Sequence, residues 1–308
     1  MIAFTGYTGF VGSALLKELD SKNVLLLGRK PLPEYSNFSI FDLTDTHHLN
    51  LQHTLSSVKV LIHSAARVHI MNDNAADPLA DFKAANTLGT YNLAKQAAKA
   101  GVKRFIFVSS IKVNGESTTN KASFTADDMP APEDPYGISK AEAEQQLLEI
   151  GKQTGMEIVI IRPPLVYGEG VKANFASLMR LVSKGLPLPF RLITKNKRSL
   201  VSVYNLVDLI KECIDHPKAA NQVFLASDDQ DLSTAEMVAL MAKVQGKPNL
   251  AIPVPVWCFK LAGKLLGKQA VIDRLTGSLQ LDITHTKNTL NWSPPYSVEH
   301  GFELAAKN

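Results

Sequence analysis

The sequence predicts an α/β protein with a doubly wound parallel sheet and a smaller C-terminal domain. Short, uninterrupted apolar runs alternate with helical patterns, as expected for parallel strands that helices cover on both faces. A glycine-rich turn joins the first apolar run to the first helix. After Gly168 prolines become more frequent and the pattern becomes irregular, which indicates a second domain.

The individual elements follow from the length and period of each run. Strands are predicted at residues 2–4, 24–27, 59–63, 104–108 and 157–161, and crossover helices at residues 81–100 and 136–154. Residues 1–167 are assigned to the first domain and residues 168–308 mainly to the second. Segments near 200–227, namely residues 201–203 and 223–226, are predicted to return to the main sheet.

Composition limits the classes of function. The chain has 308 residues, of which 45% are hydrophobic, so it can bury one large core or two smaller ones. A net charge of +4 with interspersed signs gives no nucleic-acid signature, and anionic small molecules are the better partners. No signal peptide and no apolar run of bilayer length is recognised, so we expect a cytoplasmic protein.

The glycine-rich turn predicts a nucleotide phosphate site. Gly6, Gly9 and Gly12 lie between the first strand and the first helix, with Thr8, Phe10 and Val11 among them. Glycine lets the backbone approach a pyrophosphate closely, and a helix N-terminus offers unpaired N–H groups. The spacing Gly-x-x-Gly-x-x-Gly differs from the usual Gly-x-Gly-x-x-Gly dinucleotide fingerprint.

A tyrosine and a lysine four residues apart indicate acid–base chemistry. Tyr136 and Lys140 share one face of a predicted helix. A free phenol has a pKa near 10, and a nearby ammonium together with oxidised nicotinamide would lower it. Ser110 follows the strand at residues 104–108, at the carboxyl edge where ligands bind in such sheets. Its hydroxyl is placed to hold a substrate oxygen while hydride is transferred.

These motifs resemble the extended short-chain dehydrogenase/reductase superfamily, the NAD-dependent epimerase/dehydratase family. The resemblance is carried by the glycine turn, residues 107–110 and 136–140, with further landmarks at residues 86–90, 162–168 and 290–294. It covers essentially the whole chain. It implies a Rossmann-like nucleotide domain, a smaller substrate domain, and a catalytic triad of Ser110, Tyr136 and Lys140. Where the family often has Val-Tyr-Gly, this chain has Val113-Asn114-Gly115.

The resemblance also implies the contacts to the cofactor. The turn would hold the phosphates, Asp42 and Leu43 the adenine, Ala65 and Ala66 the nicotinamide ribose, and Pro163 the carboxamide; Asn86, Tyr136 and Lys140 complete the set. Arg29 and Lys30 follow the second strand, where arginine suits the 2′-phosphate of NADP. This favours NADP(H) over NAD(H), although a solvated basic turn would have the same sequence.

The predicted substrate is a nucleotide sugar. By family position Asn174, Arg198 and Arg274 would bind a nucleotide diphosphate, whose oxygens match the planar arginine fork, and Arg67 would also contact substrate. Residues 66–71 and 110–116 resemble surface-polysaccharide enzymes that act at C4 of UDP-N-acetylhexosamines. The basic turn favours an NADPH-dependent reductase of 4-keto-6-deoxy sugars. The alternative is a UDP-glucose or UDP-N-acetylglucosamine 4-epimerase with tightly bound NAD, and a more remote one is a non-catalytic nucleotide sensor.

Other features are interpreted as structural. Cys213 and Cys258 lack metal-ligand spacing, no metal site is predicted, and His63 and His69 are taken as structural histidines. Trp257, Leu261 and Leu265 form one helical stripe and Lys260, Lys264 and Lys268 another, as in a basic interfacial helix. Packing of this helix in the second domain is the preferred interpretation over membrane contact. Family habit implies a homodimer through residues 81–100 and 136–154.

Overall fold

A computed structural model describes residues 1–45, 50–68, 77–171 and 173–307 of the chain. His69, predicted to be a structural histidine, and residues 70–71, the end of the family-like segment 66–71, lie outside these ranges. The predicted α/β class is confirmed. A seven-stranded, entirely parallel sheet forms the centre of the molecule, in the order β3-β2-β1-β4-β5-β6-β9. The strands are β1 (Ile2–Thr5), β2 (Val24–Gly28), β3 (Phe38–Ile40), β4 (Val60–His63), β5 (Arg104–Val108), β6 (Glu157–Arg162), β7 (Leu165–Tyr167), β8 (Leu200–Ser202) and β9 (Gln222–Leu225).

The helices alternate with these strands along the first half of the chain. They are α1 (Phe10–Leu16), α2 (Pro78–Phe82), α3 (Thr90–Lys99), α4 (Pro135–Thr154), α5 (Ala173–Ser183), α6 (Val203–Asp215), α7 (Thr234–Val244), α8 (Val256–Leu265), α9 (Gln269–Thr276), α10 (Thr284–Leu290) and α11 (Val298–Ala305). Between α2 and α3 the residues Lys83–Gly89 form a π-helix, so the helix predicted at 81–100 is not a regular α-helix throughout. Such π segments are frequent at functional sites.

Two apolar cores cover the two faces of the sheet. Successive residues of β5 point to opposite faces, so Ile106 belongs to one core and Phe105 and Phe107 to the other. This explains why the strands read as continuous apolar runs. α1 and α6 pack on each other over the first face, and α3 and α4 pack on each other over the second. Both faces are therefore buried, as the doubly wound arrangement requires.

The strand order reverses at β1, which pairs with β2 on one side and with β4 on the other. In open α/β sheets ligands bind at this switch point, outside the carboxyl ends of the strands. Thr5 at the end of β1 is in register with Leu27 and His63. The glycine turn and residues 64–67 therefore leave the sheet side by side.

The second half of the chain contributes to both the sheet and a separate core. β9 pairs with β6 and becomes the edge strand of the main sheet. The prediction that residues 201–203 return to that sheet is wrong, because β8 pairs with β7 in a two-stranded sheet of its own. Tyr167 at the end of β7 stacks on Phe175 and meets the Phe302 ring edge-on in a third buried cluster. A domain boundary near residue 167 stays a prediction.

α8 and α9 form an outer hairpin, and the expected burial of the α8 stripe is wrong. Trp257 is 65% exposed, Leu261 52% and Leu265 76%. The helix turns a different face inward: Phe259 stacks on Phe190, and a Cβ at Gly263 would lie 2.7 Å from the Ile272 side chain. Among the described residues no helix combines the length and hydropathy that crossing a membrane requires.

Candidate active site

The glycine turn is a tight cradle that side chains would fill. Gly6 has φ +79°, the left-handed region, and the Gly9 N–H donates to its carbonyl at 3.0 Å. A Cβ at Gly12 would lie 2.0 Å from that same carbonyl oxygen. Phe10 and Val11 are half-buried against the core, whereas Thr8 is exposed. This bare backbone at the start of α1 fits the pyrophosphate of a dinucleotide.

The end of β4 closes against the turn. A Cβ at Gly6 would lie 2.4 Å from the Ala65 backbone nitrogen. The Ala65 N–H donates to the Thr5 hydroxyl at 3.4 Å, so the two strand ends are joined directly. Ala65 and Ala66 are half-buried and present little side chain to this edge. Small residues here leave room for a ligand that lies across the switch point.

His63 belongs to the support of this edge. Its ring lies between the hydroxyls of Thr5 (2.6 Å from Nδ1) and Thr90 (2.9 Å from Nε2). Full burial, reinforced by the charge of Lys140, lowers the pKa of His63 to about 3. The ring is therefore neutral at physiological pH and, stacked on Phe107, is a structural histidine as interpreted from the sequence.

Asp42 and Leu43 lie on the other side of the turn, after β3. Asp42 accepts hydrogen bonds from the backbone N–H and hydroxyl of Thr44, and with the charge of Arg29 these lower its pKa. A Cβ at Gly89 would lie 2.2 Å from the Leu43 carbonyl oxygen, so the π-helix approaches this loop closely. Arg29 is exposed. This corner thus presents the Asp42 carboxylate and the exposed Arg29 guanidinium.

The helix that carries Tyr136 and Lys140 is α4. Asp134 caps it by accepting the Gly137 N–H at 2.7 Å, and Pro135 occupies the first turn. Lys140 is fully buried and donates from Nζ to the Val108 carbonyl at 2.8 Å, with its ammonium 4.1 Å from the Phe107 ring centre. The lysine therefore reaches the carboxyl end of β5.

Burial sets the pKa values of both predicted groups. It lowers the pKa of Lys140 to about 7, against a smaller opposing effect of the Glu144 charge. It also raises the pKa of Tyr136, and the Asp134 carboxylate adds to that rise. The expected lowering of the Tyr136 pKa is thus not found in the protein alone, because burial disfavours the charged phenolate and the Asp134 charge acts in the same direction. Lowering the Tyr136 pKa would therefore require the positive charge of a bound oxidised nicotinamide.

The Ser110 loop packs on the start of α4. Ser110 is half-buried, and its Oγ accepts the Lys112 N–H at 3.3 Å at the start of a short 3₁₀ turn. The Lys112 ammonium binds the Asp134 carboxylate and, at 3.0 Å, that of Glu116. Lys112 therefore ties the loop of the predicted serine to the cap of the tyrosine helix. These contacts bring Ser110, Tyr136 and Lys140 to one end of β5.

Asn86 joins this group from the π-helix. Its side chain donates to Ser139 Oγ at 3.0 Å and to the Arg67 carbonyl at 3.0 Å, and it accepts the Arg67 N–H at 2.8 Å. The Arg67 guanidinium lies 3.3 Å from Asp81 and over the Phe82 ring. Asn86 is buried and serves here as a positioning residue that holds β4's outgoing loop to α4.

A buried ion pair behind the triad escaped the sequence analysis. Glu144 and Arg162 are both almost fully buried, and the guanidinium binds the carboxylate at 2.5 to 3.1 Å. Ser109 donates to Glu144 at 2.5 Å, and Arg162 donates to Asn114 at 3.0 Å. Asn114, which stands where the family often has tyrosine, thus supplies a buried side-chain amide to this network. The available signal was Glu144 itself, one turn after Lys140 on the inward face of a helix.

The residues predicted to bind substrate are only partly brought together. Arg198 donates to the carbonyls of Arg274 (3.0 Å) and Gly277 (3.5 Å), so the two arginines are adjacent. Burial and the charge of Arg274 lower the pKa of Arg198, which marks a site that an anion would stabilise. Asn174 is exposed near the start of α5, and Pro163 is buried after β6, where its carbonyl accepts the Ile111 N–H.

Comparison with known proteins gives the family. The sequence profile of the NAD dependent epimerase/dehydratase family matches residues 2–226. UDP-glucose 4-epimerase of Vibrio cholerae is 55% identical over 309 residues, covering 99% of this chain and 94% of that protein. N-acetyl-alpha-D-glucosaminyl-diphospho-ditrans,octacis-undecaprenol 4-epimerase of Escherichia coli O157:H7 is 26% identical, covering 98% and 93%.

Solved structures agree on the fold. UDP-N-acetylglucosamine 4-epimerase from Bacillus cereus superposes with a TM-score of 0.79 at 18% identity, covering 99% of this chain and 98% of the other. UDP-glucuronic acid 4-epimerase from Bacillus cereus in complex with NAD superposes with a TM-score of 0.77 at 20% identity, covering 99% and 97%. At these identities the likeness establishes the Rossmann-like fold alone.

Proposed function

Since the chain belongs to the NAD dependent epimerase/dehydratase family, we propose that it is a UDP-sugar 4-epimerase that retains NAD. The observation that carries the proposal is the 55% identity, along nearly the whole chain, to a UDP-glucose 4-epimerase. The relatives support the enzyme class expected from the sequence. They support the alternative function, a UDP-sugar 4-epimerase, better than the 4-keto-sugar reductase. Inversion at C4 of a UDP-hexose or UDP-N-acetylhexosamine is the proposed reaction.

In this proposal the chain's own residues manage the proton of the sugar hydroxyl. Tyr136 takes the proton from the C4 hydroxyl and later returns it, and Ser110 holds the same oxygen in place. Lys140 lies one turn from Tyr136 on the same helix, and its ammonium at the end of β5 offers hydrogen-bond donors to ligand hydroxyls. A bound nicotinamide supplies the chemistry of accepting a hydride from C4 and returning it to the opposite face of the sugar.

The cradle supports a dinucleotide, and NAD is the form we propose. A structural neighbour of this chain is an epimerase in complex with NAD, whereas the NADP preference drawn from Arg29 has no support from any comparison. Arg29 is exposed and its charge acts on Asp42, so a solvated basic turn accounts for it. Asp42 in its ionised form suits the amino donor of the adenine, to which the family position assigns it.

The test is to denature the purified protein and identify the nucleotide that it releases. An epimerase returns its cofactor to the starting state within each turnover, so we expect about one NAD per chain. Incubation with UDP-glucose and with UDP-N-acetylglucosamine should then produce the C4 epimers without added nicotinamide. A protein that is empty and consumes NADPH with 4-keto sugars would be a reductase. No turnover with either, together with normal nucleotide binding, would favour the sensor.

A second candidate substrate is a sugar carried on a lipid diphosphate. It is favoured by the exposed apolar stripe of α8 and by the 26% identical relative whose name gives an undecaprenol-linked substrate. Both substrate types present a diphosphate to Arg198 and Arg274. The measurement is a competition assay in which both substrates are present at equal concentration. If this candidate is correct, the lipid-linked sugar should be epimerised faster than the UDP-sugar.

A further inference from the structure

The outer hairpin exposes several large apolar side chains that the proposed reaction does not use. Besides the α8 stripe of Trp257, Leu261 and Leu265, the next residue Leu266 is 70% exposed and Val271 on α9 is 50% exposed. We call these five residues the outer face. Scattered surface leucines are ordinary, but large apolar side chains grouped on one hairpin mark an interaction surface.

A row of lysines borders the outer face. Lys260, Lys264 and Lys268 are all exposed and repeat every four residues, as do the apolar residues of α8. Lys260 and Lys264 each follow a stripe residue by three positions, which places the two rows about 60° apart around α8, and Lys268 lies just beyond the end of that helix. Between residues 237 and 272 the sequence contains five lysines and no acidic residue. The edge of the outer face along α8 is therefore positive; away from this edge Lys243 pairs with Glu299, and the exposed Asp273 lies on α9.

The fold holds this face outward. Phe259 stacks on Phe190, and Gly263 packs on Ile272, so the inward side of the hairpin is already filled. The hairpin is also tied to the body of the protein, because Arg198 donates to the carbonyl of Arg274 on α9. Turning Trp257 inward would require breaking these contacts. The outer face is a fixed surface of the folded chain.

We propose that the outer face docks on an anionic membrane surface, with the apolar stripe in the headgroup boundary and the lysines on the phosphates. A tryptophan and leucines beside lysines form the pattern of a helix that lies in a membrane interface. The positive charge of the lysines favours an anionic membrane over a second copy of the chain as the partner of this face. In a two-fold pairing of copies the same lysine rows would be brought toward each other, and like charges across an interface are unfavourable.

Docking in this orientation would place the substrate end of the enzyme at the membrane. α9 carries both Val271 of the outer face and Arg274. These two residues are three positions apart, so the surface that meets the membrane continues into the predicted diphosphate site. The inference does not depend on the proposed epimerase activity, since it concerns binding of the intact folded protein to lipid.

The experiment is sedimentation of the full chain with vesicles of phosphatidylethanolamine and phosphatidylglycerol at low salt. We expect binding that weakens severalfold at high salt and on vesicles of phosphatidylcholine alone. Trp257 provides a direct signal, because Trp292, the other tryptophan, is buried and donates to Asp208. Emission of Trp257 should move to shorter wavelength with anionic vesicles, and brominated lipids should quench it.

Two variants separate the charge from the apolar stripe. Replacing Lys260, Lys264 and Lys268 by glutamine should reduce partitioning by about 100-fold, at about fivefold per lysine. Leu261→Ser with Leu265→Ser should reduce it by about tenfold or more. The matched control replaces the exposed Lys22, Lys99 and Lys152 by glutamine, with the same change in net charge. All variants should keep the wild-type melting temperature, since the changed side chains are exposed.

Several results would overturn the proposal. Wild-type protein that does not pellet with anionic vesicles, or whose Trp257 emission is unchanged, does not dock. Equal loss in the control variant would mean that net charge alone attracts the protein. A change from dimer to monomer in the serine variant, without vesicle binding by the wild type, would assign the outer face to contact between copies.

Discussion

Replacing Lys140 by methionine should stabilise the cofactor-free protein at pH 6 while abolishing turnover. The ammonium is fully buried, and burial lowers its pKa from 10.5 to about 7. At about 1.4 kcal/mol per pKa unit, holding the charged form inside costs about 5 kcal/mol. Methionine fills similar space without a charge but leaves the Val108 carbonyl without its donor, at about 1–3 kcal/mol. The expected net gain is about 3 kcal/mol.

The size of this stabilisation depends on pH in a defined window. Below pH 7 both the folded and the unfolded lysine are protonated, so the wild type bears the full cost. Between pH 7 and 10.5 the unfolded state binds more protons than the folded state, and the stability of the wild type rises with pH. At pH 9 the free-energy cost of burying Lys140 in the wild type is about 2 kcal/mol. This is close to the cost of leaving the Val108 carbonyl without its donor in the variant. The advantage of the variant should therefore be near zero there.

Urea unfolding of protein stripped of nucleotide, at pH 6 and pH 9, measures both values. Lys112→Met is the control, because Asp134 and Glu116 outweigh burial and raise the pKa of Lys112. That variant should lose stability at both pH values, since its partners are left without a counter-charge. If Lys140→Met is less stable than wild type at pH 6, or if its difference is the same at both pH values, the reasoning about the buried ammonium is wrong.

Three further changes and one surface control, Glu142→Gln, probe the rest of the site. Tyr136→Phe should lower turnover by about 10²–10⁴-fold, while bound nucleotide, measured after denaturation, is unchanged. Glu144→Gln should lower the unfolding free energy by about 3–5 kcal/mol in urea titrations, because Arg162 is left buried without its counter-charge. Glu142→Gln, which breaks the half-exposed pair with Lys83, should cost less than about 1 kcal/mol. Gly12→Ala should abolish nucleotide retention, since its Cβ would lie 2.0 Å from a carbonyl oxygen of the turn; calorimetric titration with NAD would contradict this if affinity were unchanged.

The five strands predicted from the sequence were recognisable because nearly all of their residues are buried, on both faces of the sheet. Residues 104–108 are entirely apolar after Arg104, and no alternative period competes with a strand there. The short strand Leu200–Ser202 was assigned to the wrong sheet, because three residues of β pattern do not specify a partner. The π-helix at Lys83–Gly89 was also missed. Its sequence is compatible with an α-helix, and the close approach of Gly89 to Leu43 comes from tertiary structure.

Some site residues are positioned by a single helix or loop, and others are brought together only by the tertiary fold. Tyr136 and Lys140 were found because one helix fixes their spacing, and the glycine turn because its positions lie within one loop. The Arg162–Glu144 pair joins a strand to a helix across 18 residues, so the position of Glu144 on its helix marks one partner without identifying the other. The direction of the Tyr136 pKa shift also depends on burial, which a sequence does not contain. The roles of these residues in catalysis stay predictions until turnover is measured.

The ion pair explains why Lys140 remains a poorly satisfied cation. Glu144 lies one turn from Lys140, but its two oxygens are occupied by Arg162 and Ser109. Within the described chain the Lys140 ammonium donates a single hydrogen bond, to Val108, although it has three donors. Ligand hydroxyls at this edge would therefore receive donors that the folded protein leaves unused. Binding of a ligand there should raise the Lys140 pKa, so that part of the energy withheld from folding becomes energy of binding.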